Sequence, residues 1–159
     1  WRVWHRSYSS PATDALDLNG TSAVYNGDVY WGDAGVGATP DATTFSVGIN
    51  ASTNASGSTY VAYLFATVSG VSKVGSYSGN GGTQTIPCGF TTGSRFILIK
   101  RIDNTGDWFV WDTARGITPT TDPHLSLNTT EAEVTTDDSI DQDASGFVVN
   151  QNAATKRAF

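Results

Sequence analysis

The run Arg95-Phe96-Ile97-Leu98-Ile99-Lys100-Arg101-Ile102-Asp103-Asn104-Thr105-Gly106-Asp107-Trp108-Phe109-Val110-Trp111-Asp112 is two β-strands and the turn between them. Arg95 to Ile102 and Asp107 to Asp112 are rich in β-branched and aromatic residues, which suit a pleated, half-buried surface. Asp103-Asn104-Thr105-Gly106 has the turn chemistry of a hairpin loop. Working outward, short blocks of the same kind recur. They include Trp1 to His5, Ala15 to Asn19, Ala23 to Tyr25, Val29 to Trp31, Thr43 to Ile49, Val71 to Tyr77, Thr83 to Ile86, Leu125 to Leu127 and Phe147 to Val149. Asn26-Gly27 signals a hairpin between Ala23–Tyr25 and Val29–Trp31, because both residues tolerate positive φ. The longest apolar block, Tyr60 to Val68, carries no charge and reads as a strand covered on both faces. Helix is confined to Thr130 to Val134 and Thr113 to Gly116.

About eleven short strands with regular turns predict an all-β protein, an antiparallel β-sandwich of jelly-roll or lectin-like type with minimal helix. Alternation places Phe96, Leu98, Trp108, Val110, Val61, Tyr63 and Phe65 in the core. The composition agrees. Of 159 residues, 15% are charged and 17 are Gly, with Thr, Ser and Asn abundant. An 11% aromatic content argues against disorder.

Three pairs of segments repeat in the same order. Trp1-Arg2-Val3-Trp4 matches Trp108-Phe109-Val110-Trp111, at an offset of 107 residues. Leu16 to Ala23 matches Leu125 to Ala132, at 109, and Phe45-Ser46-Val47 matches Phe147-Val148-Val149, at 102. An internal repeat follows. Residues 1–70 are the trailing part of a first copy and 71–159 the leading part of a second, folded together as one compact β unit. Val71 to Asp107 has no counterpart before Trp1, and Asn50 to Gly70 has only the stub Asn150 to Phe159. A chain that begins at Trp1 and has no Met is expected to be a processed chain or a piece of something longer. Open strand edges are expected beside Trp1 to His5 and Phe147 to Asn150, inviting strand addition from another subunit.

The segment Ser58-Thr59-Tyr60-Val61-Ala62-Tyr63-Leu64-Phe65-Ala66, followed by Val74-Gly75-Ser76-Tyr77-Ser78-Gly79-Asn80-Gly81, resembles a repeated domain of tailed-phage structural proteins. So do Gly89-Phe90, Arg95 to Arg101 and Gly106 to Arg115. Lys156-Arg157-Ala158-Phe159 departs from the pattern, where a Gly-Tyr-rich strand is expected. The resemblance implies a non-enzymatic structural component of a phage virion, a tail fibre or other appendage, located on the virion or outside cells. It implies other subunits or repeats and other virion proteins as partners, and no catalytic residue. Two alternatives stand beside it. One is a lectin-like module recognising host surface glycans, and the other is a subunit of a non-viral extracellular filament.

The residues themselves offer few sites. The net charge of −6 and the lack of a basic stripe argue against nucleic acid. No apolar run approaches the ~20 residues of a membrane span. Gly75-Ser76-Tyr77-Ser78-Gly79 puts Tyr where a nucleophile elbow needs Ser. Cys88 reads as a packed thiol rather than a nucleophile paired with His5 or His124. The acids Asp137, Asp138, Asp141 and Asp143 are a Ca²⁺ candidate without the EF-hand glycine or terminal Glu, and a solvated cluster is the favoured reading. No cofactor is implied. Trp1, Trp4, Trp31, Trp108 and Trp111 are the candidates for glycan or partner contact. Each Trp-x-x-Trp pair points to opposite faces of a strand, and burial under a neighbour explains the pairs equally well.

Overall fold

The computed structural model describes residues 1–27, 29–32 and 38–150. It is nearly all β, with three antiparallel sheets of three strands each. The chain divides into two compact units. Unit 1 comprises Trp1–Leu64 with Arg101–Thr105, and unit 2 comprises Phe65–Lys100 with the described residues from Gly106 on.

Unit 1 holds β1 (Arg2–Val3), β2 (Asp14–Asp17) and β3 (Tyr25–Asn26), in the order β1-β2-β3. Arg2 pairs with Asp17 and Val3 with Leu16, and Leu18 N–H donates to Trp1 C=O at 3.1 Å. The alternation of Ala15-Leu16-Asp17 is the cause, with Ala15 and Leu16 fully buried. Asp14 closes the preceding turn by accepting from Ser10 N–H at 2.9 Å, and its carbonyl accepts from the Trp31 indole at 3.0 Å. The expected hairpin at Asn26-Gly27 does not form. β3 pairs with β2 instead, and Gly27 N–H donates to Thr13 C=O at 2.7 Å; Asp28 lies outside the described residues. Trp31 meets Val47 in an isolated bridge. The helix, α1 (Ala51–Asn54), is one turn capped by Asn50, whose side chain accepts from Ser52 N–H. The expected Thr130–Val134 and Thr113–Gly116 helices are absent.

Unit 2 holds β4 (Gln84–Pro87), β5 (Phe96–Lys100), β6 (Trp108–Asp112), β7 (His124–Ser126), β8 (Ile140–Asp143) and β9 (Gly146–Val149). They form two sheets, β5-β6-β7 and β4-β9-β8. The β5–β6 hairpin forms as its turn residues predict, with Ile97 opposite Trp111 and Ile99 opposite Phe109. Across β6 and β7, Phe109 pairs with Ser126 and Val110 with Leu125, and Leu127 N–H donates to Trp108 C=O at 2.9 Å. Both sheets feed one core of Ile97, Ile99, Phe109, Trp111, Ile117, Ile140, Phe147 and Val149.

The core differs from expectation in two ways. Trp108 and Val110 are buried, but Phe96 is 60% and Leu98 39% exposed. Side chains alternate along β5, and the face set by Phe109 and Trp111 takes their cross-strand partners Ile97 and Ile99. Val61, Tyr63 and Phe65 are exposed too, since the Tyr60–Val68 block enters no sheet. One expected open edge is also corrected. β9 is the central strand of its sheet, so Phe147 to Val149 has β4 on one side and β8 on the other. The rest of the stub after Asn150 lies outside the described residues.

Gly146 lets β9 approach β4. A Cβ there would lie 2.1 Å from Ile86 O and 2.9 Å from Cys88 N, and both are backbone atoms that cannot swing aside. Gly146→Ala is expected to cost about 1–3 kcal/mol by overpacking, read as a lower urea midpoint. An unchanged midpoint would show that the two strands are free to part.

Candidate functional site

Unit 2 carries a buried acid–histidine group behind β6. Asp122 and His124 are both fully buried, although Asp122-Pro123-His124 reads as an ordinary polar turn. The Asp122 carboxylate accepts from Ser139 N–H and Ile140 N–H, both at 2.9 Å, and from Thr118 N–H at 3.2 Å. Its own N–H donates to Asp137 C=O at 2.6 Å. One side chain thus pins the segment around Thr118 and the start of β8. Burial pushes the Asp122 carboxyl up to about 6, against the pull of the three N–H donors, and the charge of Asp141 adds to the rise.

His124 sits opposite Trp111 on β7, and its ring lies 5.4 Å from the Trp111 ring and 5.6 Å from the Phe109 ring. Its Nδ1 is 3.3 Å from Asp122 C=O, and its Nε2 is 3.7 Å from the Asp137 carboxylate. Its backbone exchanges hydrogen bonds with Val134 at 3.0 and 3.1 Å. The group holds a long connection against the sheet.

The Ca²⁺ candidates divide between a strand and its flank. Asp141 and Asp143 lie in β8, and Asp143 accepts from Ser145 N–H at 2.8 Å and Ser145 Oγ at 2.5 Å, shaping the two-residue turn into β9. Asp141 is half-buried, and burial together with the neighbouring Asp138 raises its carboxyl. Among the described residues, no group of three His, Cys, Asp or Glu side chains is placed to hold a metal ion. No helix among them is long and apolar enough to cross a membrane. Cys88 packs beside Ile86 and Tyr77 against the unit 2 core, and burial pushes its thiol up, away from the reactive thiolate. His5 belongs to unit 1, where its Nδ1 accepts from Ser7 N–H at 3.1 Å.

The five tryptophans separate by exposure. Trp31, Trp108 and Trp111 are buried, and half-buried Trp4 donates its indole N–H to Pro11 C=O at 2.6 Å. Trp1 has an open ring, 63% exposed, lying 5.6 Å from the ring of exposed Tyr63. Tyr63 heads the most conspicuous surface feature. Tyr60, Val61, Tyr63, Leu64, Phe65, Val68 and Val71 are all exposed, within twelve consecutive residues. Tyr60 to Leu64 fall in unit 1 and Phe65 to Val71 in unit 2.

A sequence profile for a family described as a domain of unknown function (DUF7483) matches residues 1–158. No curated protein and no solved structure matches the chain.

Proposed function

We propose that this chain, which belongs to the DUF7483 family, is a non-enzymatic structural building block of a phage virion, part of a tail fibre or another appendage. The observation that carries the reading is the exposed apolar run from Tyr60 to Val71, a surface suited to being covered in an assembly rather than to chemistry. The buried Asp122 supports it from the other side, because its carboxylate is spent on main-chain N–H groups.

An internal duplication belongs to the same proposal, and paired contacts support it. Arg2 opposite Asp17 and Val3 opposite Leu16 have the places of Phe109 opposite Ser126 and Val110 opposite Leu125. Leu18 N–H to Trp1 C=O answers to Leu127 N–H to Trp108 C=O. Asn19 Oδ1 accepts from the Trp1 nitrogen at 3.3 Å, and Asn128 Oδ1 from the Trp108 nitrogen at 2.8 Å. The Trp31–Val47 bridge has the place of Ile140 opposite Val149. Tandem copies of one β module suit a rod or fibre, whose units touch mainly their neighbours. A sandwich of lectin-like type is the architecture proposed for the complete module.

The test is location. Antibodies against the chain, imaged on intact particles, are expected to decorate an appendage. Purified particles that lack the chain would end the proposal. A second reading rests on the open Trp1–Tyr63 pair, since exposed aromatic faces stack on sugars. Binding to a glycan array that is lost in Trp1→Ala would favour a receptor-recognition role.

A further inference from the structure

We infer that residues 60–68 form a strand completed by residues 72–80 of a second copy of this chain, in a reciprocal exchange. The inference rests on the structural reading above and names the partner of its exposed run. Four observations lead to it.

The first is unspent main chain. From Thr59 to Thr67 no backbone N–H donates to a described residue, and none does from Gly75 to Asn80. Backbone with unpaired N–H groups outside any sheet is a template for strand addition. The second is charge. From Ala42 to Ser72 there is no Asp, Glu, Lys or Arg. Lys73, at the start of the partner stretch, is the one charge in residues 60–80, so residues 60–68 themselves carry nothing that guards them against their own kind.

The third is a hairpin that stops at its first rung. Gly70 turns the chain with φ 72°, and Val68 and Ser72 exchange N–H···O bonds at 2.9 Å. Beyond that rung the side chains take over. Thr67 Oγ1 accepts from Val74 N–H at 3.0 Å and donates to Val74 C=O at 3.2 Å, and Ser72 Oγ donates to Ala66 C=O. These hydroxyls occupy the sites the next ladder bonds need, and the exchange displaces them as the turn opens. The fourth is self-sufficiency. The two unpaired stretches flank one short turn, so every copy brings both halves of the missing ladder. Opening the turn lets two copies satisfy each other about a twofold axis, which is how domain-swapped dimers close. In the register already set by Val68 and Ser72, Leu64 of one copy stands opposite Ser76 of the other.

Sedimentation of the 159-residue chain is expected to give a species of about twice the 16.8 kDa chain mass. Phe65→Lys is expected to weaken association by about thirtyfold or more, the loss of a central anchor. Phe65 is 78% exposed, so the variant should keep the wild-type circular dichroism. In a Cys88→Ser background, Leu64→Cys chains mixed with Ser76→Cys chains are expected to cross-link on oxidation, because opposed Cα atoms about 5.5 Å apart suit a disulfide. Either variant alone should not. A monomer at every concentration, cross-linking no greater in the mixture, or a monomer that binds phosphatidylcholine vesicles would each overturn the exchange. Appendage labelling with a monomeric chain would sink this inference alone. A dimer absent from purified particles would sink the virion role alone.

Discussion

Trp111→Ala is expected to remove about 3–5 kcal/mol from unit 2, the range for deleting a fully buried large aromatic side chain. Trp111 has no exposed surface and sits in the middle strand of its sheet. Its ring packs 5.8 Å from Phe109 and 5.4 Å from His124, and Ile97 stands opposite on β5. Truncation opens a cavity lined by groups that cannot collapse, since each is held in a ladder. The loss is a large fraction of the 5–15 kcal/mol typical of a domain. Urea unfolding followed by circular dichroism measures it. Trp1→Ala, at an open ring, is the control and should stay within about 0.5 kcal/mol. Equal effects of the two substitutions would remove Trp111 from the centre of the core.

Asp122 gives the second large effect, and its size depends on pH. Asp122→Ala leaves the buried N–H groups of Ser139 and Ile140 without their acceptor, at a cost of roughly 3 kcal/mol. Asp122→Asn isolates the proton. The folded carboxyl titrates near 6, above its ordinary value of 3.8. Between those values the folded chain keeps a proton that the unfolded chain has lost. The contribution of Asp122 is therefore complete below pH 3.8 and is lost as pH rises to about 6, at about 1.4 kcal/mol per unit. Asp103, Asp112 and Asp143 act oppositely, because their carboxyls are lowered by hydrogen bonds. The measurement is thus the difference between wild type and Asp122→Asn across pH 4 to 7. A constant difference would show that the carboxyl ionises normally in the fold.

Local signals were legible at the β5–β6 turn, whose strands lie side by side in the chain, but not at Asn26-Gly27, where β3 pairs with β2 instead. Asp103 to Gly106 announces the β5–β6 hairpin, and the strand positions around Trp1, Ala15, Leu125 and Phe147 follow from alternation. The face of a strand was less legible. Phe96, Ile97, Leu98 and Ile99 are all apolar, so alternation alone cannot say which pair turns inward. Only the register against Phe109 and Trp111 does so. Charge misled at β8, where Asp141, Asp143 and the intervening Gln142 look like a solvated loop. The turn signal was Asp143-Ala144-Ser145-Gly146, with a short acceptor, a hydroxyl and a glycine at hairpin spacing. Asp122 and His124 were invisible because burial of a polar side chain depends on distant backbone donors. Tyr60 to Val68 failed for another reason. Its pattern is that of an interior strand, and the ladder that would make it one is not formed within the described chain.

The pairing of β4 with β9 has a consequence in time. Gln84 meets Val149, and Pro87 meets Gly146, so β4 reaches its partner only after some sixty intervening residues. A ribosome adding 5–20 residues per second leaves β4 waiting for about 3–12 seconds. The β5–β6 hairpin, closed by a short loop, can form within microseconds of its synthesis. Unit 2 therefore matures from its middle outward, and nascent chains meet one another while β4 is still single. Slow translation of the stretch between β6 and β9 should raise the yield of misassembled material, and a crowded polysome should raise it further.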